Sequence, residues 1–347
     1  MAALDDDDRG RASDEPLTAA ALQAACEGKT HSLKGLDVAA VTADLAKLSP
    51  AEAAALAARM DALRPSIDVD ALARSLLDPL ARTRSLADAG DALTLDAAYA
   101  IQKRCRELRE AGGERVVGHK VGCASEAVRA SLGVASPVRG DLWEREQRVD
   151  GAVVALARFA ELAVEGELCL ELFHVEGAVE DWLCVYAPAI ELHHVYRNCA
   201  RPQRAAEIVA KNALHAGVVC GVGWSKPTRL GDVPLDVELK VTIDGVLRDV
   251  ATLGGLDVGG ARGVAGTVRW LADALAADGA RLRPGSRVLA ATPGALIPLA
   301  AGDTDVVVSF GSQVVSMAVG DDDAADDAPN PRAETEASGH MAWGDTT

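Results

Sequence analysis

Two glutamates one residue apart, Glu165 and Glu167, stand in the run Val164 to Glu167, and a third, Glu191, follows 24 residues later. On a strand, residues i and i+2 project from the same face, so Glu165 and Glu167 would stand side by side. Two adjacent carboxylates repel unless one holds a proton or a cation lies between them. A third carboxylate from a neighbouring strand would complete an all-oxygen site suited to Mg²⁺ or Mn²⁺. The spacing alone also permits a solvated acidic strand face, because E-x-E is a common tripeptide.

Other residues have types that do chemistry. Lys120 lies in the short, Gly-bounded run Val116 to Gly122. A lysine near a divalent cation and apolar walls can have its pKa lowered into a range useful for moving protons; otherwise it is a surface lysine at a strand end. Strand alternation turns His119 away from Lys120, into a structural role. His193 and His194 follow Glu191 closely but lack a third nitrogen or sulfur ligand at suitable spacing, which points to surface or supporting roles. His215 is either an acid or base or a structural histidine. Cys123 has no basic partner nearby in sequence. The pairs Gly254-Gly255 and Gly259-Gly260 do not fit G-x-G-x-x-G and read as loop and turn.

These side chains need elements to carry them. Glu165 to Leu172 alternates, with Leu168, Leu170 and Leu172 on one face and Glu165, Glu167, Cys169 and Glu171 on the other. Val237, Leu239, Val241 and Ile243 alternate too, and Asp244-Gly245 then signals a hairpin. Late strands are expected near Arg287–Ala291 and Asp305–Phe310. Helices come earlier. Ser49, Pro50 and Glu52 form a start signal for a helix running to about Leu63. A second helix spans about Val69 to Leu80. A third starts at Thr94 as N-cap, with Ala98, Ile101, Cys105 and Leu108 on its apolar face, and ends at Gly112-Gly113. A late helix is expected from about Thr267 to Ala277. Helices first and mostly antiparallel strands later indicate α+β architecture rather than a doubly wound sheet.

Composition narrows the function. The 347 residues are 49% hydrophobic but only 3% aromatic, with a formal charge of −17. Stacking platforms for single strands combine aromatics with a basic groove, so nucleic acid is not an expected partner. The acidic segments 1–16 and 321–347 carry −4 and −7, leaving −6 for the 304 residues between them. Both segments read as disordered tails, and residues 17–66 as a helical extension outside a catalytic domain at 67–320. No apolar run reaches the roughly 18–20 residues that cross a bilayer, and the first residues lack signal-peptide features, so no membrane partner is expected. Seven cysteines, widely spaced and without C-x-x-C, suit reduced thiols in a cytoplasmic protein.

From about residue 68 to 319 the chain resembles the 2-keto-4-pentenoate hydratase and 4-oxalocrotonate decarboxylase family of the fumarylacetoacetate hydrolase superfamily. The segments that carry the likeness are collinear. They are Leu93 to Gln102 (LTLDAAYAIQ), Glu114 to Gly122 (ERVVGHKVG, against a usual G-Y-K-I-G), Ser131 to Val134 (SLGV), the three glutamates, Trp270 to Leu275 (WLADAL) and Pro284 to Leu289 (PGSRVL). The resemblance implies a mixed, strongly curved β roll flanked by helices from residues 68–112 and 267–277. It implies Glu165, Glu167 and Glu191 as ligands of a divalent cation, magnesium or manganese, and Lys120 as the catalytic lysine. It places His215 and Thr292 in segments that bind substrate.

The implied activity is that of a lyase on an enolisable small-molecule 2-oxo acid. A hydratase of 2-hydroxypenta-2,4-dienoate type leads. A 4-oxalocrotonate-type decarboxylase, or a non-catalytic subunit of a heteromeric complex, is the alternative. A homo-oligomer is expected, or association with a related hydratase or decarboxylase. Three segments depart from the family pattern. Pro137 to Gly140 reads PVRG where P-D-F-G is usual, so the acid is absent at Val138. Lys211 to Gly217 reads KNALHAG against D-N-A-S-S-G. Ala290-Ala291 replaces a T-G pair.

Overall fold

The computed structural model describes residues 47–55, 67–78, 86, 93–132, 134–159, 161–195 and 205–320. The expectations for residues 1–16, 321–347 and most of 17–66 lie outside these. In the stretch 47–55 the expected helix start is present. The Glu52 amide donates to Ser49 Oγ at 3.3 Å, and the Glu52 carboxylate accepts from the Ser49 amide at 2.9 Å. Residues 50–55 are helical.

From Ile67 onward, helix α1 spans Val69–Ser75, α2 Leu95–Ala111, α3 Glu126–Leu132, α4 Ala205–Ala210 and α5 Gly263–Ala277. The cap of α2 is as expected: Thr94 Oγ1 accepts from the Ala97 amide at 3.2 Å, and Gly112 closes the other end. Helix α1 stops at Ser75, short of Leu80. Its Ser75 hydroxyl turns back to the Leu72 carbonyl at 2.7 Å, and Pro79 disfavours helical backbone at the residue before it. Helix α5 begins four residues before Thr267. The Thr267 hydroxyl donates one turn back to the Gly263 carbonyl at 3.3 Å, so the residue expected to begin the helix is interior and buried.

The strands that matter are β1 Val116–Gly122, β2 Val138–Trp143, β3 Gln147–Val149, β4 Ala152–Ala155, β5 Leu162–His174, β6 Leu183–His194, β7 His215–Cys220, β8 Glu238–Ile243, β9 Val246–Thr252, β10 Arg287–Leu289, β11 Asp305–Phe310 and β12 Gln313–Gly320. The main sheet runs β2-β1-β10-β5-β6-β7-β3. Short pairs at Ile297–Pro298 and Thr228–Arg229 extend β5 and β6. Its β1–β10 and β3–β7 pairs are parallel and the others antiparallel. A second sheet runs β9-β8-β11-β12-β4. The β8–β9 hairpin turns on Asp244 (φ 51°) and Gly245 (φ 73°), the double positive φ that favours Asp-Gly. The main sheet curls strongly into a half-barrel with few helices beside it, so the expected curved roll is the observed fold.

Alternation on β5 separates core from chemistry. Val164, Leu168, Leu170 and Leu172 join Val241 and Val308 of the second sheet in the main core. Gly166, on the same face, permits the contact: a Cβ there would stand 2.7 Å from Val241 Cγ2 and 3.4 Å from Val308 Cγ1. Glu165 and Glu167 project from the opposite face.

Candidate metal centre and active site

The β5–β6 ladder sets Glu165 directly across from Glu191, and Ala163 across from His193. His193 in turn faces His215 on β7. A parallel route brings Lys120 onto the same face: it pairs with Leu289 of β10, which pairs with Cys169 of β5. Three glutamates, two histidines and one lysine thus share one face of the sheet. All but Glu165 are buried, and Glu165 is partly so. Beside them, Leu142, Cys169, Ala189, Val218 and Leu289 form a small apolar cluster.

Glu191 is the hub. Its Oε1 meets Lys120 Nζ at 3.1 Å and His215 Nδ1 at 2.7 Å. Its Oε2 lies 3.3 Å from His193 Nε2, which is also 3.0 Å from Glu165 Oε2. One donor atom each from Glu165, Glu191 and His193 lie within 4.8 Å of one another, and Glu167 is not part of that group. Glu167 is completely buried, and neither of its oxygens has a hydrogen-bond partner among the described residues.

The charges explain which groups ionise. Burial opposes ionisation of Glu191, but the charges of Lys120 and His193, together with the hydrogen bond from His215, hold its carboxyl well below the usual range. Burial, followed by the charge of Glu191, pushes Glu167 well above it. Burial works against a charged His193, yet Glu191 and Glu165 raise its pKa to about 9. Lys120 moves in the direction opposite to the sequence expectation. Burial favours the neutral amine, but Glu191, then Glu165 and Glu167, outweigh it and keep the ammonium above the ordinary lysine range. The carboxylates dominate because the ammonium points among them.

The walls around Lys120 come from the departing segments. Val138 is opposite Gly122 on β2, and a Cβ on Gly122 would stand 3.3 Å from Val138 Cγ2 and 3.5 Å from Lys120 Nζ. The position where the family usually carries an acid therefore presents an apolar side chain beside the lysine. Ala213 packs in one apolar cluster with Val138, in a turn where Asn212, Ala213 and Leu214 hold φ of 57°, 53° and 63°. Successive left-handed residues without glycine are costly, roughly 1–2 kcal/mol each. The turn aims the Ala213 carbonyl at Lys120 Nζ, 3.4 Å away. It is held by Asn212, whose Oδ1 accepts from the Asp141 amide at 2.7 Å and whose Nδ2 donates to the Asp141 carbonyl at 2.9 Å.

Other sequence candidates take different places. His215 is fully buried and lies in the site, but on Glu191; its Nε2 is 3.9 Å from Glu146, which Arg109 of α2 holds at 2.8 Å. Both hydrogen-bonding functions of the Thr292 hydroxyl go to backbone. It donates to the Gly166 carbonyl at 2.9 Å and accepts from the Gly294 amide at 3.1 Å. Thr292 therefore fastens the loop after β10 onto β5 between the two glutamates. His119 turns away as expected and meets Asp141 at 3.1 Å. His194 packs against Phe159, ring centroids 5.0 Å apart and the planes tilted by 39°. The residue that sequence reasoning missed is His193, which is buried in the site rather than on the surface. The signal was present: His193 stands two residues after Glu191 on one strand, so both must share a face. A cleft of about 720 Å³ lined by Tyr99, Arg106, Arg139 and Trp270 contains none of these groups.

A divalent cation fits these residues. Unpartnered, buried carboxylate oxygens on Glu167 and Glu191 are costly unless something charged satisfies them. Carboxylate oxygens with one imidazole suit a hard or borderline divalent ion.

No family model matches the chain. Individual proteins do. A 2-keto-4-pentenoate hydratase of Paraburkholderia phymatum is 33% identical over 243 residues, covering 67% of this chain and 87% of that protein. A 2-oxo-hept-4-ene-1,7-dioate hydratase of Escherichia coli is 29% identical over 228 residues, 61% of this chain and 82% of that one. The solved structure of 4-oxalocrotonate decarboxylase from Pseudomonas putida G7, complexed with magnesium and adipate, superposes with a TM-score of 0.63 at 24% identity. That overlap covers 72% of this chain and 97% of the other, and it shows a shared fold. With collinear motifs and these relatives in agreement, the chain belongs to the 2-keto-4-pentenoate hydratase and 4-oxalocrotonate decarboxylase family.

Proposed function

We propose that this protein is a metal-dependent lyase acting on a small, enolisable 2-oxo acid, as a hydratase of 2-hydroxypenta-2,4-dienoate type. The observation that carries the reading is a buried ammonium, Lys120 Nζ, 3.1 Å from Glu191, on the sheet face that Glu165 and Glu167 share. Glu165, Glu167 and Glu191 would hold the ion, magnesium or manganese, which as a Lewis acid would favour negative charge on an enolate oxygen. Lys120 keeps a proton at Nζ, so it serves as a proton donor to carbon or as an anchor for the substrate carboxylate. His215, bonded to Glu191 and backed by Glu146, orients that carboxylate. Val138 and the 212–214 turn bound the space beside Lys120 and exclude water from it.

A decarboxylase would use the same groups, since it also places charge on an enolate. The protein would act as a cytoplasmic homo-oligomer, with residues 17–66 outside the catalytic domain 67–320. Turnover of 2-hydroxypenta-2,4-dienoate with and without Mg²⁺ or Mn²⁺ tests it. Cation-dependent hydration is the expected result. Carbon dioxide release from 4-oxalocrotonate without hydration would favour the decarboxylase, and no turnover of either would overturn the enzymatic reading.

A further inference from the structure

We infer that His193 supplies a nitrogen ligand through Nε2, so that the cation site of this chain is a mixed oxygen–nitrogen centre rather than an all-carboxylate one. The inference deepens the proposed function and rests on it for the presence of a cation.

The geometry favours a ligand over a simple ion pair. Nε2 lies 3.0 Å from Glu165 Oε2 and 3.3 Å from Glu191 Oε2, yet neither ring nitrogen makes a properly directed hydrogen bond to any described residue. Glu191 Oε2 is unpartnered in the same way, while its Oε1 is taken by Lys120 and His215. Three donor atoms thus face one another without bonding. This is the arrangement of atoms that share a third neighbour. Ligands about 2.1 Å from one ion stand about 3.0 Å apart at a right angle and about 3.4 Å at a tetrahedral angle, and both observed spacings fall in that interval. His193 is buried at 3% exposure, so its nitrogen has no access to bulk water to compensate. The backbone fixes it there: it follows Glu191 by two residues on β6 and lies diagonal to Glu165.

The chemical consequence is selectivity. Carboxylates alone suit Mg²⁺, Ca²⁺ and Mn²⁺, whereas imidazole adds affinity for the later first-row ions. The full-length protein should therefore bind Co²⁺ at least about tenfold more tightly than Mg²⁺, with Mn²⁺ between the two.

The test uses the purified full chain loaded with Mn²⁺, read by pulsed electron paramagnetic resonance for coupling to a directly bound ¹⁴N nucleus. Titration calorimetry gives the Mn²⁺ to Mg²⁺ affinity ratio for wild type, His193→Gln and His193→Val. Nitrogen coupling in wild type, absent from both variants, with a ratio that falls toward one while Mg²⁺ still binds, is the expected outcome. Bound Mn²⁺ without nitrogen coupling would overturn the inference and leave the proposed function standing, with His193 then acting as a cationic partner of the glutamates. Failure of wild type to bind any of these ions would overturn both. The spectroscopic measurement on wild type does not depend on either variant folding.

Discussion

Replacing Gly166 by alanine probes how the fold carries the site. The new Cβ would stand 2.7 Å from Val241 Cγ2 and 3.4 Å from Val308 Cγ1. Carbon atoms in contact normally sit about 3.5–4.0 Å apart, so the first contact falls short by about 1 Å. Neither valine turns away easily, because both are buried at 0–1% exposure and β-branched side chains are stiff at χ1. The second sheet must retreat, or β5 must move toward the face that carries Glu165 and Glu167. Overpacking of this kind costs about 1–3 kcal/mol. Urea unfolding of Gly166→Ala should show that loss. In a Val241→Ala background the obstructing methyl is gone, and the same substitution should cost less than about 0.5 kcal/mol, a coupling of about 0.5–3 kcal/mol. Divalent-cation affinity should fall in Gly166→Ala and recover in the double variant, because the displaced strand carries two of the carboxylates. An equal cost in both backgrounds would refute the reasoning, since the penalty would then arise from something other than the inter-sheet contact.

Lys120→Ala should lower turnover by about 10²–10⁴-fold, the usual contribution of a positioned acid or base, while cation affinity by calorimetry changes little; near wild-type turnover would end its assignment. His215→Ala should weaken cation binding, because its imidazole orients the Glu191 carboxylate. In chelator-treated protein, stability should fall as pH rises from 6.5 to 9. Folded His193 keeps its proton up to about 9, against an ordinary 6.5, so its stabilisation is complete below the lower value and lost by the upper one. At about 1.4 kcal/mol per pH unit per proton, the loss is about 3 kcal/mol, and urea unfolding of His193→Val across the same range should be flatter. Ala291 holds φ 74°, a conformation costing a non-glycine residue on the order of 1 kcal/mol; Ala291→Gly should therefore raise Tm, and a lowered Tm would contradict this.

Local signals were legible wherever one short stretch decides the outcome. Thr94 and Gly112 bound α2, Asp244-Gly245 turns the β8–β9 hairpin, and the alternation of 164–172 separates core from site. The three glutamates were legible as a group because two share a strand. What was not legible depends on partners distant in sequence. Thr292 looked available until the Gly166 carbonyl, 126 residues away, claimed its hydroxyl. The direction of the Lys120 shift needed the knowledge that it points at carboxylates from two other strands. The turn at 212–214 carries no glycine, so nothing local marks its left-handed backbone. His193 was obscured by its neighbour, since an adjacent histidine pair draws attention away from the period-2 relation to Glu191.

The bond between Asn212 and Asp141 has a bearing on the solution behaviour of the protein. Strand β2 is the margin of the main sheet, and the outward amide and carbonyl of Asp141 would otherwise be open to pairing with a strand from another molecule. The Asn212 carboxamide occupies both, as an added strand would. The chain comes so close that a Cβ on Gly140 would stand 2.6 Å from the Asn212 carbonyl. Open edges are templates for aggregation, and proteins commonly cover them. Asn212 thus closes a sticky border while its neighbour Ala213 faces the lysine, so sequence drift in this turn is constrained by colloidal behaviour as well as by chemistry.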